Sequence, residues 1–175
     1  MLVAQILSLL YNIVDRIYIA RIPEVGTTAL GAVGLCFPII VIITAFSNLF
    51  GSGGAPLFSI NRGKGNTKKA ETIMNTSFLM MCICGVVLTV IGMMFASPIL
   101  VLFGASEEGL SYAYPYMMIY LIGTVPSMIA TGMNPFINAQ GYATSGMLSV
   151  TIGAVANLIL DPLFIFGLHL GIKGA

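Results

Sequence analysis

Residues 149–168 read SVTIGAVANLILDPLFIFGL, and the carboxylate inside that run, Asp161, decides how the rest of the chain is read. About 20 predominantly apolar residues span a bilayer as a helix, and this stretch meets that requirement apart from its acid. A carboxylate at the centre of a membrane helix costs about 2.5–3.5 kcal/mol on insertion scales, so it persists where it faces a bundle interior, a water-filled path or a cation. The pattern occurs a second time in residues 2–20, LVAQILSLLYNIVDRIYIA, which carry Asp15. Both aspartates are functional candidates on that ground.

Composition sets the class. The chain is 58% hydrophobic and 7% charged, with no Trp, a balance too apolar for a soluble domain to keep a wettable surface. It reads as an all-α integral membrane protein. The net charge is +1, and no basic cluster is interleaved with aromatic residues, which excludes a nucleic-acid partner as the reading. Cys36, Cys82 and Cys84 lie in apolar runs and read as small packing residues, without a disulfide or a metal site. The start, MLVAQILSLLYN, has no basic n-region of a cleaved signal. It opens inside an apolar helix, and the chain stops at GIKGA, so a fragment is expected.

Five crossings fit the uncharged windows, over residues 2–20, 29–60, 72–96, 111–139 and 145–168. A polar turn with Pro23 and Gly26 follows the first. The second is longer than a bilayer requires and contains Pro38 and the run Gly51-Ser52-Gly53-Gly54-Ala55-Pro56, where tilt or a break is expected. The segment 61–69, NRGKGNTKK, holds four positive charges and is placed in the cytoplasm by the positive-inside rule. Glu107 and Glu108 occupy the next link, on the opposite side, and the patch 140–146 separates crossings four and five at a cytoplasmic turn. This topology makes the first and fifth crossings parallel and puts Asp15 and Asp161 at similar depth. If those helices are neighbours, the two carboxylates share one site.

Polar residues gather around each acid. Asn157 precedes Asp161 by four residues, which puts both on one helical side, and an amide oxygen beside a carboxylate suits a hard cation or a hydrogen bond to the acid. Pro162 withdraws the donor from the Leu158 carbonyl and leaves it as a further oxygen. Asn12 lies three residues before Asp15 as a supporting candidate, although alone it also reads as a helix-packing amide. Asp15 with Arg16 also reads as an interfacial pair with the arginine snorkelling outward. Thr131, Asn134 and Asn138 form a polar stripe on the fourth crossing, open to two readings, helix packing or a substrate cavity. The eleven Met residues are permissive packing, and His169 reads as a surface residue. Enzyme chemistry finds no support in one histidine, no paired zinc spacing and no phosphate-binding loop.

Four segments together resemble the multidrug and toxic compound extrusion (MATE) family: NIVDRIYIARI in the first crossing, ALGAVGLCFPI entering the second, GSGGAPLFSINRGKGNTKKAE, and ANLILDPLFIFGLHLGIKGA at the end. The resemblance implies a secondary antiporter of two six-helix lobes that exports drugs, organic cations among them, in exchange for H+ or Na+, without a cofactor. This chain would be most of the first lobe, and the second lobe of the same protein its missing partner. Asp15, Asn157 and Asp161 then match the family's cation-coupling residues, where Na+ or H+ would bind, and Asn134 its cavity asparagine. A bacterial plasma membrane is the implied location. Two other readings stand beside it: a lipid-linked oligosaccharide flippase of related architecture, which would favour a more cationic cavity, and a non-transporting assembly subunit.

Overall fold

The computed structural model describes residues 2–21 and 26–167; His169 and the turn residues 22–25 lie outside them. Every regular element among the described residues is helical: α1 (Leu2–Ala20), α2 (Gly26–Gly63), α3 (Thr67–Leu102), α4 (Glu107–Ile122), α5 (Thr124–Ala139) and α6 (Ala143–Pro162). A π-helical turn, Leu163–Gly167, continues α6 beyond Pro162. Three of these are long and apolar enough to cross a membrane, α2, α3 and α6 with its extension, or four if α4 and α5 form one bent span. The first of the five expected crossings corresponds to α1, which is not among them.

Two details of the helices refine the sequence reading. Of the tilt or break expected at the run 51–56, the break is absent, since α2 is continuous over 38 residues. In hydrocarbon a freed backbone group finds no water, so glycine and proline are absorbed within the helix. The fourth crossing, expected over 111–139, comprises α4 and α5, parted at Gly123. Pro126 stands in the first turn of α5, where its missing N–H would have no intrahelical partner anyway. The basic segment is also more helical than a loop: only residues 64–66 lie between α2 and α3, with Gly65 at φ 75° and Asn66 accepting from the Lys69 amide at 3.4 Å. Gly141, at φ 93°, makes the turn between α5 and α6 that the patch 140–146 implied.

The chain forms two compact units: residues 1–38, 95–120 and 147–175 in one, residues 39–94 and 121–146 in the other. In the second, Thr124, Met128, Gly132 and Phe136 form the buried stripe of α5. Phe136 meets Phe58 edge-on at 5.7 Å within a core that includes Ala55, Ala70 and Met81. Small residues let the backbones approach there. A Cβ on Gly51 would collide with the Gly132 carbonyl, and one on Gly54 would meet Ser77 Oγ at 2.6 Å and Phe136 at 2.7 Å. In the first unit, Ile19, Ala29, Ala32, Cys36, Ala113 and Met117 are buried, and Cys36 Sγ donates to the Ala113 carbonyl at 3.7 Å.

Candidate functional site

The acids come from opposite ends of the sequence into the same unit. Asp161, next to Pro162 at the end of α6, is 6% exposed, and Asp15 on α1 is half-buried. Their carboxylates are near enough for the charge of one to act on the other. The Oδ1 atom of Asp15 is buried and has no hydrogen-bond partner. An unpaired carboxylate oxygen out of water forfeits about 1–3 kcal/mol or more, so its free position is an acceptor without a donor or cation. Arg16 does not fill it. Its guanidinium lies 5.9 Å from the Phe37 ring centroid, a cation–π contact, and the side chain is exposed.

Tyr116 on α4 lies within electrostatic reach of Asp15 and stacks against Tyr120 at 6.5 Å between centroids. Sequence reasoning passed over it because a tyrosine in an apolar helix carries no signal of its own. Its position becomes informative only once the fold brings α4 within reach of the Asp15 charge. The remaining candidates are placed differently. Asn157 is exposed, whereas Asp161 is buried. The four-residue spacing gives them one side of α6, yet Asn157 itself is open to the surface while Ala154 and Asp161 on that side are buried. Asn12 lies on α1, and its side chain is outside the described residues. The π-helical turn directly after Asp161 marks where Pro162 disturbs the regular ladder.

The polar stripe of α5 belongs to the second unit, where it is engaged within the protein. Ser47, 1% exposed on α2, donates to the Met128 carbonyl at 3.0 Å and lies 2.7 Å from Thr131 Oγ1. Asn134 Nδ2 donates to the Gly146 carbonyl at 2.9 Å, and Asn138 Nδ2 donates to Asn134 Oδ1 at 3.0 Å. These bonds tie α5 to the first turn of α6. The packing reading therefore has direct support in the geometry. Asn48 was missed: it is an exposed amide in the middle of the α2 span, readable in principle as a polar residue in an apolar window.

Among the described residues the chain is a helical, multi-pass membrane protein whose first and last long helices contribute two acids to one compact unit. The MatE family profile matches residues 1–163, and the chain belongs to that family. It is 30% identical over 175 residues to the multidrug export protein MepA of Staphylococcus haemolyticus, covering 100% of this chain and 38% of that protein. It is also 30% identical over 169 residues to an FAD transporter of Shewanella oneidensis, covering 94% of this chain and 37% of the relative. Among solved structures, the outward-facing conformation of a MATE multidrug resistance transporter of the MOP superfamily superposes with a TM-score of 0.92 at 27% identity, over 100% of this chain and 38% of that one. The chain thus spans little more than a third of the relatives it matches.

Proposed function

We propose that this chain is the cation-coupling portion of a secondary antiporter that exports organic compounds, organic cations among them, in exchange for H+ or Na+ across a bacterial plasma membrane. The observation that carries the reading is the buried, unpartnered Asp15 Oδ1 within charge reach of buried Asp161. Two neighbouring negative charges away from water disfavour double ionisation, so a proton or a cation that joins them is held. Asp15 and Asp161 are the primary ligands, Asn157 is a third oxygen donor, and Asn12 is a supporting candidate. A proton needs only one carboxylate. Na+ prefers a fuller set of hard oxygens, for which the Asn157 amide and the Leu158 carbonyl freed by Pro162 are the candidates.

Transport follows if the cation binds two conformations of the complete protein with different affinity, since only differential binding shifts an equilibrium. Cation entry neutralises the acids and favours release of the exported compound; its discharge on the other side resets the cycle. Thr131, Asn134 and Asn138 remain the proposed contribution of α5 to the substrate path, with Asn48 of α2 added. The basic turn, residues 61–69, is cytoplasmic in this account.

The FAD transporter relative favours a second reading in which the exported compound is an anionic dinucleotide. Resistance conferred by the complete protein against cationic and anionic compounds, with and without Asp161→Asn, tests both. Loss of resistance with unchanged membrane insertion supports coupling through Asp161, and the charge of the excluded compounds selects the substrate class. Full resistance in the variant sinks the assignment.

A further inference from the structure

The α2–α3 pair carries a groove that the transport reading does not use. It has a volume of about 340 Å3, and its walls include Leu49, Gly53 and Leu57 of α2 and Ile73 of α3, with Lys69 and Thr72 at one end. Leu49 and Leu57 are 61% and 55% exposed, and a Cβ on Gly53 would meet nothing within 4 Å, so the groove opens outward. From residue 49 to 57 the helix advances about 12 Å. The groove is thus a slot along a membrane-crossing pair, apolar along its α2 wall, with Thr76 and Ser77 on the α3 wall, and cationic at one end.

The charge at that end is unbalanced. Arg62, Lys64, Lys68 and Lys69 fall within eight positions, and the first turn of α3 holds two lysines and no acid, opposite to the preference of a helix N-terminus for negative charge. Glu71, the acid of this segment, lines a different hollow with Arg62, Phe58 and Gln140. No acid lines the groove. The positive-inside rule puts this end at the cytoplasmic leaflet, where anionic lipids concentrate.

We infer that the groove binds an anionic glycerophospholipid of the cytoplasmic leaflet, one acyl chain lying against Leu49, Gly53 and Leu57 and the phosphate meeting Lys69. The apolar wall would hold any acyl chain, and Lys69 selects the anionic headgroup. Binding does not depend on the transport reading, and its test needs no gradient.

The chain contains no Trp, so Leu57→Trp places a reporter on the groove wall. In the complete protein reconstituted into vesicles, quenching of that reporter, taken as the difference from the protein with Leu57, is titrated with acyl-brominated phosphatidylglycerol or phosphatidylcholine. The expected result is an apparent preference of about fivefold for phosphatidylglycerol, the size conferred by one lysine at a membrane surface. Lys69→Gln brings the two lipids to parity, Lys64→Gln leaves the preference in place, and Gly53→Leu weakens quenching by both. Equal quenching in the unsubstituted protein overturns the inference. So does an equal effect of Lys64→Gln, which means diffuse attraction, or loss of the preference on adding inorganic phosphate, which assigns Lys69 to a soluble anion. Quenching by neither lipid means that protein covers the groove, and overturns it too.

Discussion

Asp15 on α1 and Asp161 at the end of α6 lie within reach of each other's charge, although almost the entire chain separates them in sequence. Groups that share one proton or cation act as a unit. Replacing either with Asn in the complete protein should therefore reduce gradient-driven export to background, and the double replacement should do no further harm. Export assays normalised to inserted protein check this; additive losses from the two single variants would mean that the acids work separately.

Tyr116 lies within electrostatic reach of Asp15. Removing only its hydroxyl, by Tyr116→Phe, is expected to shift the apparent affinity for the coupling ion by about three- to tenfold, the scale of one ordinary hydrogen bond. The amount of inserted protein should stay constant. Ion-concentration dependence of export is the readout, and an unchanged curve removes Tyr116 from the site.

Gly51 and Gly53 stand two positions apart on α2 and should respond oppositely to alanine. At Gly51 the added methyl collides with the backbone of Gly132, and overpacking of that kind costs about 1–3 kcal/mol. At Gly53 it meets nothing, and relief of glycine's entropy cost in a helix gives a gain of about 0.5–1 kcal/mol. Thermal unfolding in detergent should lower the midpoint for the first and hold or raise it for the second.

Asn134→Ala removes the donor to the Gly146 carbonyl and the acceptor for Asn138. The expected loss is about 0.5–1.5 kcal/mol of stability, the net contribution of a typical hydrogen bond. If α5 packing is the whole role of Asn134, the range of exported compounds stays the same; an altered range with unchanged thermal stability would instead make it a substrate contact.

Much of this was legible in the sequence because membrane helices leave few choices. The acids stood out against hydrocarbon, and the patch 140–146 marked the turn that Gly141 makes. The break at Gly123 was hidden by counting from charge to charge: no ionisable residue flags it, and Pro126 three positions later was the available sign. Conversely, the run at Gly51 to Pro56 looks like a break in water but stays helical where the backbone has no other partner. Spacing put Asn157 beside Asp161, yet burial depends on what other helices cover at each level, which one helix's periodicity does not encode. Tyr116 is the same case: its meaning lies in a neighbour contributed by α1.

The most direct test of the account is efflux of a fluorescent organic cation from vesicles containing the complete protein, driven first by a pH gradient and then by a Na+ gradient, with Asp161→Asn alongside. The account predicts gradient-dependent efflux that disappears in the variant, and the gradient that drives it identifies the coupling ion. Efflux that is indifferent to both gradients, or that survives loss of the Asp161 carboxylate, would contradict it.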